Sequence, residues 1–154
     1  MTIEFNEHVI EAVRGFMRSI PFNAMLGFEL EELGPGYARM RLPFREDLIG
    51  DFIRGALHGG AVAALIDTCG GACVWTGIEI GDTLSTVDFR VDYLRPGRRE
   101  DVVAEARLLR LGNRVGVTDI VAFHASAPGE PIATGKGVYN VRRSRRPQGV
   151  APSP

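Results

Sequence analysis

From Gly59 to about Gly77 the chain writes one helix that is apolar nearly all the way round, and such a helix must be enclosed on most sides. That requirement constrains the fold more than any other feature, because the remaining elements have to wrap it. One residue in the run resists burial. Asp67 is a lone carboxylate among Val62, Leu65, Ile66 and Cys69, and an acid is costly to bury unless it is paired or put to use. Its neighbours at i±3 and i±4 are Ala63, Ala64, Gly70 and Gly71, so nothing larger than a methyl group flanks it on its own helix. An interior glycine costs about 1 kcal/mol relative to alanine, so Gly70-Gly71 needs a reason. Two readings carry equal weight: close packing against another backbone, with Asp67 held by a polar partner, or room for a ligand beside the acid.

The rest of the chain supplies the wrapping. Residues 6–19 read as an amphipathic helix with Val9, Ile10, Val13, Phe16 and Met17 on its apolar stripe, ended by Ile20-Pro21. Phe28–Leu33 and Tyr37–Leu42 form a hairpin through Gly34-Pro35-Gly36, and residues 44–57 read as loop. Leu84–Leu94 alternates cleanly, with Val87, Phe89, Val91 and Tyr93 facing one way and Thr86, Asp88, Arg90 and Asp92 the other. Val102–Leu111, Arg114–His124 and a strand from about Pro131 to Arg142 complete a set of about six, mostly joined as hairpins. The expectation is an α+β fold, an antiparallel sheet wrapped round one long central helix. The boundaries are a helix over 1–19, a main domain over 20–143, and a polar, proline-containing tail over 144–154 expected to be disordered.

Composition excludes more than it selects. With 154 residues, 45% hydrophobic and 24% charged, the chain reads as one ordinary globular domain. A net charge of −1 argues against a general nucleic-acid surface. Cys69 and Cys73 lack the second pair of a zinc site and read as reduced core thiols of a cytoplasmic protein. The acidic N-terminus predicts no signal peptide, and no apolar run reaches the roughly 18 residues of a membrane span. There is no nucleophile elbow, P-loop or dinucleotide fingerprint, and the scattered His8, His58 and His124 predict no metal site.

The remaining chemistry lies in His58-Gly59-Gly60 and Asp67. A helix that opens on two glycines offers unpaired backbone N–H groups, backed by the helix dipole, to a developing oxyanion. Asp67 can deprotonate a water or attack directly. Gly59 and Asp67 are eight residues apart, about 12 Å along the axis, whereas reacting groups approach to about 3–3.5 Å. One helix therefore cannot bring both to one carbonyl, and a second copy packed antiparallel would complete a site at a two-fold interface.

These residues resemble the hotdog-fold acyl-CoA thioesterases of the phenylacetate-degradation (PaaI) type. The resemblance continues through Phe22-Asn23-Ala24-Met25-Leu26-Gly27-Phe28, Gly34-Pro35-Gly36, Ser85-Thr86-Val87-Asp88, Tyr93-Leu94-Arg95-Pro96 and Ala133-Thr134-Gly135-Lys136-Gly137, over roughly residues 20–143. It implies hydrolysis of short-, medium-chain or aromatic acyl-CoA by a homodimer or homotetramer, with no cofactor beyond the coenzyme A of the substrate. It implies that the Gly59 N–H, next to Gly60, binds the thioester carbonyl, that Asp67 of the opposing subunit is base or nucleophile, that His58 supports the site, and that Thr86 holds the attacking water. One position departs: some relatives carry Asn or Gln six residues before the histidine, where this chain has Phe52 beside Asp51. Phe52 and Trp75 are candidates to limit the acyl chain.

For the coenzyme A phosphates the candidate is Arg114 with Asn113, ahead of Arg98, Arg99 and the run 142–146, although loop arginines are commonly only solvated. Two other readings stand beside hydrolysis. One is a non-catalytic acyl-CoA-binding sensor or interaction module. The other is an acyl-thioester hydratase or dehydratase, which would need a histidine in register with the helix acid.

Overall fold

The computed structural model describes residues 7–79 and 81–144. Of the predicted tail only Ser144 falls among them; the rest, like the start of the first helix at Asn6, lies outside the described residues.

Helix α1 spans Glu7–Ser19 and α2 spans Pro21–Leu26. The second helix was not expected, since Pro21 reads as a stop. It also serves as a start: Ile20 is extended, proline at the first helical position loses no needed N–H, and left-handed Gly27 (φ 73°) closes the far end. Asn23 ties the pair together by donating Nδ2–H to the Met17 carbonyl at 3.1 Å.

Strands β1 (Glu29–Gly34) and β2 (Tyr37–Leu42) form the first hairpin. The stretch read as loop holds a short ladder, β3 (Ile49–Asp51) and β4 (Ala56–Leu57), too brief to leave an alternation in the sequence. Helix α3 runs from Gly59 to Trp75, followed by β5 (Thr83–Tyr93), β6 (Val102–Leu111), β7 (Val115–Phe123) and β8 (Ala133–Arg142). The main sheet has the order β1-β2-β6-β7-β8-β5 and is antiparallel throughout, so the six-stranded sheet and central helix agree with the expectation.

The sheet curls round α3. Leu65, Ile66, Cys69 and Cys73 have no exposure and pack against Ala38, Met40, Ala104 and Ala106, each large apolar side chain contributing roughly 1.5–3 kcal/mol. Gly135 on β8 lets the helix come close, since a Cβ there would stand 2.5 Å from Ile66 Cγ2. Both cysteines are free and buried. Burial pushes both thiols up, Cys73 to about 12, so they stay protonated.

One expectation needs correcting. The alternation in β5 is not continuous: Thr86 pairs with Tyr139 and Asp88 with Val138, leaving Val87 as the extra residue of a bulge. Below the bulge even-numbered Leu84 and Thr86 share the helix-facing set; above it, through the partners Gly137 and Gly135, Phe89 and Val91 do. Thr86 therefore belongs with Phe89 and Val91, not with Asp88 and Arg90.

Candidate active site

Asp67 sits halfway along α3, partly buried, on the side facing β5 and β8. The bulge turns Thr86 toward it, and the Thr86 hydroxyl donates to Asp67 Oδ1 at 2.9 Å. Burial raises the carboxyl pKa, opposed first by the Thr86 hydrogen bond and then by Tyr139. An aspartate so placed is a better proton acceptor than an ordinary surface carboxylate.

Tyr139 is a site residue that sequence reasoning missed. From β8 its buried hydroxyl donates to the main-chain oxygen of Asp67 at 2.9 Å. Burial and then the Asp67 charge push its own pKa up, so it remains a neutral donor. This contact also answers half of the Gly70-Gly71 question. A Cβ on Gly70 would stand 2.1 Å from the Tyr139 hydroxyl, and one on Gly137 would stand 2.5 Å from the ring. Gly70 makes room for a tyrosine side chain of the sheet, which is the helix–sheet packing of the first reading with a side chain, not a backbone, as the close neighbour. Gly71 differs, since a Cβ there meets only ordinary contacts at 3.6 Å and beyond. The signal was a lone tyrosine two residues after Gly137, which carries meaning only once the strand is docked.

At the start of α3, His58 caps the helix: its Nδ1 accepts the Gly60 N–H at 2.8 Å. With that donor occupied, the Gly59 N–H is the one at this terminus without an acceptor among the described residues. The Tyr93 hydroxyl, quoted from the sequence only within a motif and without a site role, donates to the Gly59 carbonyl at 2.6 Å, and its ring packs on Gly59. A cleft of about 350 Å³ opens here, lined by Gly59, Val62, Tyr93, Leu94, Arg95 and Ile132 among others.

The structure brings Thr86 to Asp67, and His58 and Gly60 to Gly59. Within one chain it does not bring the two halves together, as the helix rise of about 12 Å required. Phe52 stands at the tip of the β3–β4 turn beside Ile53, each 84% exposed, and the Asp51 carboxylate accepts the Ile53 and Arg54 N–H groups to hold that turn. Asn113 and Arg114 lie at the β6–β7 turn by the far end of α3, where Gly116 packs on Val74. Arg143 bonds the Asn113 and Gly112 carbonyls. Arg98 pairs with Glu100, and Arg99 with Glu46. Arg95, quoted only within a motif, lines the cleft beside Gly59. His124 is structural, its Nδ1 bonding the Asp101 carbonyl and its Nε2 accepting the Arg98 N–H. Among the described residues no three His, Cys, Asp or Glu side chains group to hold a metal ion.

A polarising N–H at a helix start and an under-bonded acid beside a hydroxyl are the parts of acyl transfer to water. Comparison with known proteins narrows that class. The thioesterase superfamily model matches residues 54–127. The medium/long-chain acyl-CoA thioesterase YigI of Escherichia coli is 36% identical over 118 residues, 68% of this chain and 76% of that protein. A putative esterase of Halobacterium salinarum is 37% identical over 127 residues, 78% and 83% of the two chains. The solved structure of a thioesterase family protein from Silicibacter pomeroyi superposes with a TM-score of 0.77 at 26% identity, over 87% of this chain and 98% of that one. A thioesterase from Haemophilus influenzae shares the fold at a TM-score of 0.80 and 23% identity, over 96% and 98%. The chain belongs to the thioesterase superfamily, and its fold is the hotdog fold.

Proposed function

We propose that this protein hydrolyses acyl-CoA thioesters to the free acid and coenzyme A, with Asp67 as the acid–base group and the Gly59 N–H of a second copy as the carbonyl donor. The observation that carries this reading is Asp67 itself, half-buried with a raised pKa and with the Thr86 hydroxyl on its carboxylate. The identity with YigI, named for medium- and long-chain acyl-CoA, supports the substrate class.

Thr86 donates its hydroxyl hydrogen bond to Asp67, which stays a carboxylate, and keeps lone pairs with which to accept from a water. Asp67 takes the proton of that water as its oxygen attacks the thioester carbon. The carbonyl oxygen becomes an oxyanion at the Gly59 N–H, the intermediate collapses with cleavage of the C–S bond, and the leaving thiolate receives the proton from Asp67. Direct attack by Asp67 through a mixed anhydride uses the same groups. Coenzyme A leaves along the cleft by Gly59, where Arg95 is the basic wall residue. The bare edge of β5, with Val87, Phe89 and Tyr93 exposed, and the small residues on the open face of α3 favour an antiparallel two-fold pair. The free thiols favour a cytoplasmic setting, and no described helix is long and apolar enough to cross a membrane.

The first test is thiol release from butanoyl-, octanoyl-, dodecanoyl- and phenylacetyl-CoA by wild type and folded Asp67→Asn. Turnover that disappears in the variant is expected; binding without turnover would leave the sensor module. The second is complementation. Gly59 is the first helical residue after an extended His58, where the backbone accepts proline once the Tyr93 ring, 3.1 Å from a Cβ at that position, gives by a few tenths of an ångström. A folded Gly59→Pro deletes the donor and is expected to cost about 10²–10³ in kcat. Mixing it with Asp67→Asn should restore activity through one intact hybrid site. No restoration, or an active monomer on a sizing column with light scattering, refutes the shared site.

A further inference from the structure

We propose that the apolar cavity between α1 and the C-terminal end of α3 receives the far end of the substrate's acyl chain, and that α1 thereby sets chain-length preference. This rests on the thioester reading above. The cavity measures about 400 Å³, within the roughly 300–1,000 Å³ of small-molecule sites. Its walls include Val13, Phe16, Met17, Leu33, Trp75 and Ile78. The Thr76 hydroxyl on the wall is already spent, donating to the Cys73 carbonyl at 2.6 Å and accepting the Gly36 N–H at 2.9 Å. The charged wall residue, Glu79, is acidic and disfavours a carboxylate or phosphate head. What fits is hydrocarbon whose polar head is held elsewhere.

The path to such a head lies on α3. Asp67, Gly71 and Trp75 follow at i, i+4 and i+8 and share one face, and all three are partly exposed. Gly71 itself places no side chain between the acid and the tryptophan, and Tyr139 and Leu84, 3.6 and 3.7 Å from where its Cβ would stand, wall the path on the sheet side. From Asp67 to Trp75 the helix rises about 12 Å, so a short acyl group ends over Gly71 while a longer one reaches the cavity. At its mouth Phe16 of α1, half exposed, meets Trp75 edge to face with ring centroids 5.7 Å apart. An amphipathic helix that leaves its apolar side partly unfilled against the C-terminal end of α3 is the shape of a lid over a chain, and α1 is that helix.

Trp75 is the chain's single tryptophan, which makes its fluorescence a local reporter. The experiment titrates the non-hydrolysable thioethers S-dodecyl-CoA and S-ethyl-CoA into the full chain and into Ala12→Phe, whose new ring fills the cavity from α1. S-dodecyl-CoA is expected to shift Trp75 emission in wild type and S-ethyl-CoA to leave it unchanged. In Ala12→Phe the dodecyl response should disappear, and the ratio of kcat/KM for dodecanoyl-CoA over butanoyl-CoA should fall about tenfold or more. An unchanged ratio, or no dodecyl response in wild type, overturns the proposal even where butanoyl-CoA is hydrolysed. A failure of every acyl-CoA to turn over would refute the thioester reading while the wild-type titration still decides the cavity. Should deletion of residues 1–6 shift the emission while S-dodecyl-CoA does not, the occupant is the chain's own N-terminus. Emission that depends on protein concentration, and not on the thioether, makes the occupant a second copy. Either result overturns the acyl-chain assignment.

Discussion

Two aspartates of this molecule are shifted in opposite directions. Asp82, after α3, is 3% exposed and accepts from the Ser144 N–H at 2.8 Å, the Glu79 N–H at 3.0 Å and the Arg143 guanidinium at 2.9 Å. The two backbone donors and then Arg143 hold its pKa down to about 2. Asp67 is less buried yet titrates the other way, because burial outweighs its Thr86 hydrogen bond and the nearby Tyr139. At Asp67 burial outweighs the donors, and at Asp82 the donors outweigh burial. A carboxylate ringed by donors has its bonding capacity committed to the fold, here to fastening the end of β8 beside the end of α3. Asp67, with neither a backbone N–H nor a cation on its carboxylate among the described residues, keeps capacity for a reactant.

The largest expected consequence of that contrast is in activity. Asp67→Asn should lower kcat/KM by about 10²–10⁴ while its Tm at neutral pH equals or exceeds that of wild type. The sign follows from the raised pKa: the cost of ionising Asp67 is absent below the ordinary aspartate range and grows as the pH rises through its folded value. Calorimetry from pH 3 to 8 checks this, and an Asp67→Asn protein that is less stable at pH 8 than at pH 3 relative to wild type would break the comparison. Asp82→Asn should behave as the mirror image, with a lower Tm at neutral pH and activity largely kept. Its depressed pKa confers stability that is present above the ordinary range and lost as the pH falls toward about 2, so the gap to wild type should close in acid.

Smaller effects sharpen how Asp67 is held. Gly70→Ala puts a methyl group 2.1 Å from the Tyr139 hydroxyl and should destabilise by about 1–3 kcal/mol despite alanine's better helix propensity; denaturant titration reads it. Tyr139→Phe should cost about 1 kcal/mol. Because Tyr139 lowers the Asp67 pKa, its loss should also move the acid limb of the kcat/KM profile upward in pH. A merely structural tyrosine would leave that limb in place.

Most of the fold was legible because long elements repeat their message. The all-round apolar run of α3 and the alternations of β6, β7 and β8 each average over nine or more residues, so local exceptions do not hide them. Short elements have no such average: α2 is six residues opened by a proline and β4 only two. The parity of β5 was lost at Val87, since a bulge is a property of two paired strands and leaves no trace in one. The same holds for the site. Asp67 and the His58-Gly59-Gly60 start announce themselves because they are anomalous for a buried helix. Thr86, Tyr93 and Tyr139 are ordinary strand residues, given meaning by contacts 19, 34 and 72 positions away in the chain.

The bulge at Val87 also sets where this chain tolerates changes of length. Thr86 and Asp88 face consecutive partners, Tyr139 and Val138, so a gene that lost the codon for Val87 would encode an unbroken ladder with the same residues turned toward α3. A deletion elsewhere in the paired part of β5 would invert the facing of one half of the strand unless this same spare residue absorbed it. Length variation among descendants of this sequence should therefore gather at the position beside the Thr86 hydroxyl, and alignments that forbid a gap there will misassign it.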